Sequence, residues 1–218
     1  AVYSSLPSWL GYQYMEGVHA VPYFKVDWLI NKNWNLVFGN IDNRNSHLLP
    51  EPLYNVEHVF ASDPETGVQL KMDKPFHKMD VWLNWQSFVF RNDIHQEAFS
   101  IGYNSQSFFD LRKDKLRLVM PLSFLVQHLG GENLSGSFSM QTWLNMAAGL
   151  RAEAKFGSIN AALGFDYLFY KQAGKGDVMP FDEGWALYPY FEFAYDDFKI
   201  KIAYYDSKDF VSLFGSQH

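Results

Sequence analysis

The residues best suited to chemistry in this sequence are its seven histidines, because imidazole can act as an acid, a base or a metal ligand near neutral pH. No two of them stand at the short spacing of a metal site, so we expect no metal and no cofactor. All lie near predicted turns or loops, which predicts solvated side chains. They are His19, His47, His58, His77, His95, His128 and His218.

An enzymatic site would need more than isolated histidines. A lipase or protease at a membrane face needs a serine held against a histidine. The sequence contains both residue types, but no motif pairs them. We therefore predict that the protein is not an enzyme and assign no catalytic residue.

A second polar set recurs at every second position of segments that are otherwise apolar. A charge on the lipid face of a membrane strand costs about 2 to 4 kcal/mol near the midplane, so these side chains must point to the inside of a barrel. We predict that they line its lumen. The set is Lys25, Asp27, Lys71, Asp80, Asn84, Gln86, Arg117, Gln141, Asn145, Arg151, Glu153, Lys155, Asp166, Glu192, Lys199 and Lys201.

The elements that position this set are about ten segments with the two-residue period of β-strands. The clearest is Ser158 to Tyr170, where Leu163 and its alternate neighbours are apolar and the face of Asp166 is smaller and more polar. The segment Met140 to Phe156 alternates as regularly, although a local helix is an open alternative there. Several segments reach the ~9 to 11 residues with which a tilted strand crosses a bilayer.

Connection lengths give independent information on the fold. Short connections (31–33, 74–77, 112–115, 157–158 and 196–197) alternate along the chain with longer ones (40–65, 91–96, 129–137 and 172–183). Outer-membrane barrels have this pattern, with tight periplasmic turns and longer outside loops. The sequence therefore predicts an all-β, antiparallel up-and-down transmembrane β-barrel. We expect residues 1–218 to form one barrel domain, incomplete at one or both ends and part of a larger barrel.

Composition agrees with this fold class and excludes others. The 218 residues contain 18% aromatic and 19% charged residues and no cysteine, and their mean hydropathy is -0.21. No segment approaches the ~18 to 20 consecutive apolar residues of a membrane helix. The net charge of -6 argues against a nucleic-acid partner, which usually needs a basic face.

Four stretches carry a resemblance to a known group. LLPEPLYN and DPETGVQLKMD are followed by DVWLNWQSFVFRND and HQEAFSIGY. Together they resemble uncharacterised, porin-like outer-membrane β-barrels of the Bacteroidota. The resemblance implies a barrel in the outer membrane of a Gram-negative bacterium. It implies no role for any individual residue.

Two functions are compatible with these observations. The large inward polar set favours a porin-like channel that transports small hydrophilic solutes, because ten or more strands leave room for water. The alternative is a non-transporting barrel that acts as a scaffold or subunit of an outer-membrane complex. The expected partners are outer-membrane lipid and, beyond it, other outer-membrane proteins or a second copy of the chain.

Overall fold

The structure is a computed structural model that describes most of the chain. The described residues are 23–43, 46–55, 64–87, 96–112, 115–131, 140–174 and 179–215. Four of the histidines considered above (His19, His58, His95 and His218) lie outside the described residues.

The described chain folds into one antiparallel sheet in which each strand pairs with the next along the sequence. This confirms the all-β, up-and-down prediction. The strands are β1 (Lys25–Asn31), β2 (Trp34–Asn40), β3 (Thr66–Lys74), β4 (His77–Ser87), β5 (Ala98–Arg112), β6 (Leu116–Leu129), β7 (Gln141–Phe156), β8 (Ile159–Gln172), β9 (Glu183–Tyr195), β10 (Phe198–Ala203) and β11 (Asp206–Lys208).

The segment for which a helix was an open alternative is a strand. β7 pairs with β8 from Trp143 to Phe156, and Met146 lies opposite Phe169 there. On its other side β7 pairs with β6, where Met146 lies opposite Phe124. Paired neighbours on both sides satisfy the backbone groups that a helix would have satisfied internally.

The ends of the sheet differ in their connections. At one end of the sheet the connections contain only two or three residues. They join β1 to β2, β3 to β4, β5 to β6, β7 to β8 and β9 to β10. The connections at the other end are all longer, and the longest runs from 41 to 65. We call these the short-turn end and the long-loop end.

The last part of the sheet is interrupted. Both β10 and β11 pair with β9, and the irregularity between them falls at Tyr204, whose amide donates to the carbonyl of Pro189. Within the described residues β1 pairs with β2 alone and β10 with β9 alone, so the sheet is barrel-like but is not closed.

The two faces of the sheet follow the alternation of the sequence. One face is apolar and outward: Leu163 and Ile202, for example, are each 65% exposed. The opposite, concave face carries the polar positions, many of them buried. Among the described residues no helix is long and apolar enough to cross a membrane.

Two chain segments lie against the concave face and form the core with it. The first is the inner loop (41–43 and 46–55), in which Leu53 is fully buried. The second is the C-terminal inner segment (209–215), in which Val211 is fully buried. They pack together on strand residues such as Trp143 and Leu168, which are also fully buried. The interior of the sheet is therefore filled over this region.

Candidate functional site

His47 on the inner loop is the centre of a buried polar cluster. Its Nδ1 lies 3.1 Å from Oδ2 of Asp80 on β4, and its Nε2 lies 3.0 Å from Oε2 of Glu65. The ring stacks on Trp82 with centroids 3.8 Å apart and planes 6° apart. The side-chain amide of Gln69 on the neighbouring strand β3 donates to Asp80 at 2.9 Å. His47 therefore joins the inner loop to the wall of the sheet.

The cluster holds His47 in its charged form. Burial disfavours the imidazolium, but the hydrogen bonds and negative charges of Asp80 and Glu65 outweigh it and raise the pKa of His47 to about 9. Burial also acts to raise the pKa of Glu65, yet the hydrogen bond and charge of His47 lower it. Burial and the charge of Glu65 raise the pKa of Tyr54, which donates to Glu65 at 2.6 Å. With both ring nitrogens donating to carboxylates, His47 is not available as a base.

The backbone at His47 is strained. Ser46, His47 and Leu48 form one 3₁₀ turn in which all three have positive φ, at 52°, 52° and 59°. Non-glycine residues in this region cost about 1 to 3 kcal/mol each and persist only where their surroundings fix them. Here the fixing contacts are the two carboxylates on His47 and the amide of Asn104, which donates to the carbonyl of Leu48 at 3.0 Å.

The expectation that the histidines are solvated is wrong for His47, which is 0% exposed. The loop that carries it folds inward, and buried carboxylates replace the water that the ring would otherwise contact. His77 and His128 are half-buried, and each contacts a hydroxyl group.

The sixteen residues predicted to line the lumen alternate with the apolar outward positions, and the structure brings several into contact with the inner segments. Asp80 contacts His47, and Lys71 pairs with Asp42 of the inner loop at 3.0 Å. The amide of Asn145 donates to the carbonyl of Val211 at 2.8 Å, and its oxygen accepts from the amide of Leu213 at 2.9 Å.

Other members of the set pair with each other or with nearby strands. The close pairs are Lys25 with Asp27 (3.3 Å), Arg117 with Asp110 (2.8 Å), Arg151 with Glu153 (2.6 Å), Lys201 with Glu51 (2.9 Å) and Glu192 (3.8 Å), and Gln86 with Gln127 (2.6 Å). Asn84 accepts from the amide of Thr66. Asp166 is buried, Gln141 is half-buried, and Lys155 and Lys199 are exposed.

Two histidine–hydroxyl pairs lie on the outward face, and the sequence alone did not reveal them. His128 of β6 stands opposite Thr142 of β7, with 2.8 Å between Nδ1 and Oγ1. His77 of β4 stands opposite Ser107 of β5, with 2.9 Å between Nδ1 and Oγ. In both pairs a potential base touches a potential nucleophile, which is the minimal arrangement for acyl transfer.

The two pairs lie near opposite ends of the sheet. The ring of Phe99 on β5 packs 4.8 Å from that of His128, and Ser107 follows on the same strand. The separation of Phe99 and Ser107 is about 27 Å at ~3.4 Å per residue, before allowing for strand tilt. The His128–Thr142 pair is therefore at the long-loop end, and the His77–Ser107 pair is at the short-turn end.

β6 ends one residue after His128, at Leu129. Gly130 and Gly131 follow it with φ of 93° and 127°. A Cβ at Gly131 would lie 3.5 Å from Nε2 of His128, which is an ordinary van der Waals contact. The positive φ angles of the two residues favour glycine over residues with a Cβ at the end of β6.

These features define a barrel-like, all-β protein with histidine–hydroxyl pairs on its outward surface, which is an arrangement compatible with ester hydrolysis. The comparison with protein families agrees: the family model described as Lipid A 3'-O-deacylase-type matches residues 10–218. The chain belongs to this family. Neither the curated proteins nor the solved structures gave a match.

Family membership corrects the functional predictions made from sequence. The porin-like channel and the scaffold are both wrong, and so is the prediction that the protein is not an enzyme, because the family is enzymatic in type. Room for water in a ten-strand barrel was the premise of the channel, and the inner segments fill part of that room. The family agrees with the outer-membrane location that the resemblance implied and with the expected lipid partner, but not with transport.

Proposed function

We propose that this protein hydrolyses an ester-linked acyl chain of lipid A at the surface of the bacterial outer membrane. The observation that carries the proposal is the 2.8 Å contact between His128 and Thr142 on the outward face. In this proposal residues 1–218 form one barrel domain, its long-loop end lies outside the cell, and the inward polar set lines the interior.

The location of the substrate selects this pair over the other histidines that the structure describes. Lipid A occupies the outer leaflet, so its acyl esters lie just below the headgroups on the outer side. The His128–Thr142 pair faces lipid at the long-loop end. His47 is enclosed between carboxylates inside the sheet. The His77–Ser107 pair is displaced toward the other leaflet by about 20 Å once the strand tilt is included, which is most of the ~25 Å height of the apolar band.

The chemistry requires only a base and a nucleophile in contact. Nδ1 of His128 takes the proton of the Thr142 hydroxyl as Oγ1 attacks the ester carbonyl. The bond to the sugar oxygen breaks as His128 returns the proton to that oxygen, and a fatty-acyl threonine forms. Water, deprotonated by the same imidazole, then releases the fatty acid and regenerates Thr142. The family description, Lipid A 3'-O-deacylase-type, supports the 3' oxygen of lipid A as the position of this ester in the proposal.

The test uses purified, folded protein and lipid A in mixed micelles, with mass spectrometry to detect loss of one acyl group. His128→Gln is expected to lower the rate about 10²- to 10⁴-fold, the usual effect of a general base. Thr142→Val is expected to lower the rate by a similar factor. Thr142→Ser is expected to retain part of the activity, because serine keeps the hydroxyl.

The second pair supplies a matched control. His77→Gln and Ser107→Ala remove the same groups at the short-turn end and are expected to leave the rate unchanged. If the His77 variant loses activity and the His128 variant does not, both the assigned pair and the assigned orientation are wrong. Heat-modifiability on gels verifies that each variant is folded.

A further inference from the structure

A polar cleft lies on the concave face of the sheet, on the side opposite to the His128–Thr142 pair. Its outer chamber, at the short-turn end, has a volume of about 790 Å³. Its inner chamber has a volume of about 160 Å³ and ends against residues 48–51 of the inner loop. Glu192 and Lys201 line both chambers, so the two adjoin at these side chains.

The outer chamber is electropositive. Five cationic side chains line it against three carboxylates, which leaves a net charge of +2 from 5 − 3. Lys115, Lys155 and Lys199 are exposed and form no ion pair with any residue that the structure describes. An excess of one charge sign on a concave wall concentrates ligands of the opposite sign. The chamber therefore favours an anion.

The inner chamber contains a buried carboxylate that has no hydrogen-bond partner among the described residues. Asp166 is 4% exposed and accepts no hydrogen bond from the described residues, and Nε of Arg151 is buried without a hydrogen-bond acceptor. Buried polar groups are normally paired with protein, water or ligand. Asp166 thus offers an acceptor to a space large enough for a small molecule.

Aromatic rings and glycines shape the same chamber. The rings of Tyr188 and Tyr190 lie 5.6 Å apart, and Nζ of Lys201 lies 5.2 and 4.9 Å from their centroids. Tyr190 lies across Gly164, where a Cβ would come within 2.1 Å of its Cζ, and Asp166 lies across Gly149, where a Cβ would come within 1.9 Å of Oδ1. The glycines leave room for these two side chains to lie flat on the sheet.

We propose that this cleft is a binding site for a soluble sugar phosphate that enters from the short-turn end. The lysines of the outer chamber neutralise the phosphate. The tyrosine rings offer apolar surface to the face of the sugar, and Asp166 and Arg151 bond its hydroxyl groups. The site is separate from the hydrolytic pair, which faces the other side of the sheet. Loss of sugar-phosphate binding is therefore expected without loss of hydrolysis, and the reverse.

Isothermal titration of the folded full chain with glucose 6-phosphate tests the proposal, with glucose and inorganic phosphate as separate probes. Glucose 6-phosphate is expected to bind at least tenfold more tightly than either. The double variant Lys155→Gln, Lys199→Gln and the variant Asp166→Asn are each expected to weaken its binding at least tenfold.

Two controls make the result specific. Lys78→Gln removes an exposed lysine that pairs with Asp73 outside the cleft, and it is expected to bind the probe like the unmodified protein. His128→Gln is expected to do the same. The proposal is overturned if glucose 6-phosphate does not bind, if phosphate alone binds as tightly, or if the cleft variants and Lys78→Gln behave alike.

Discussion

We expect the loss of folding stability caused by the substitution His47→Gln to depend on pH. His47 is fully buried between Glu65 and Asp80, and these carboxylates raise its pKa from the ordinary 6.5 to about 9. Glutamine has a similar reach but carries no charge. The substitution therefore leaves two buried carboxylates without their cationic partner.

The magnitude follows from the pKa shift. A shift from 6.5 to about 9, at 1.36 kcal/mol per unit, corresponds to about 3 kcal/mol of folding free energy. Because the folded-state pKa is raised, this contribution is fully present below pH 6.5 and is lost as the pH rises through about 9. The lowered pKa of Glu65 acts in the opposite sense, but only as the pH falls below 4.5, outside this window.

The assay is urea unfolding of the folded barrel in lipid or detergent, followed by tryptophan fluorescence, between pH 6 and pH 10. At pH 6 we expect His47→Gln to be less stable than the unmodified protein by about 3 to 5 kcal/mol, the usual cost of breaking a buried ion pair from one side. As the pH approaches 10, we expect the difference to shrink by about 3 kcal/mol. His77→Gln, which removes a histidine bonded to Ser107, serves as the control and should show no such convergence.

One result would refute the reasoning directly. If the stability difference between the unmodified protein and His47→Gln is the same at pH 6 and at pH 10, His47 is not held as an imidazolium. Its role in fixing the inner loop would then be one of shape and stacking on Trp82 alone.

Two further predictions concern the sheet and the inner segments. Leu163→Arg is expected to destabilise the membrane-inserted sheet by about 2 to 4 kcal/mol, because Leu163 is on the lipid face. Asn160→Arg, on the opposite face of β8, is expected to be tolerated. Equal behaviour of the two variants on heat-modifiability gels would contradict the assigned facing. Asn145→Leu is expected to release the C-terminal inner segment, because it removes the bonds to Val211 and Leu213, and limited proteolysis should then cut within 209–215 faster than in the unmodified protein.

The sheet could be predicted from sequence because its determinants are local. Alternation assigns each residue to a face, and a connection of two or three residues fixes the neighbour and the antiparallel direction. Leu163 and Asp166 were placed on opposite faces of β8 by this rule, and the register agrees. Even the segment with a helical alternative became a strand, since it has partners on both sides.

The inner loop could not be predicted, because its position depends on contacts that are distant in sequence. His47 was interpreted as a solvated loop residue, and nothing local shows that Glu65 and Asp80 will enclose it. The His128–Thr142 pair was missed for a similar reason. β6 and β7 are joined by a long connection, and only the full register brings the two residues opposite each other.

The strained turn at Ser46–Leu48 also has a consequence for the order of folding. Its three positive φ angles are unfavourable in an isolated chain, so the turn can persist only once β3, β4 and β5 provide Gln69, Asp80 and Asn104. The bond between Glu51 and Lys201 spans 150 positions of the chain and must wait for β10. Because closing such long loops costs entropy before any contact forms, we expect the wall to assemble first with a hydrated interior. Expulsion of that water by the inner loop would then be a late step in maturation.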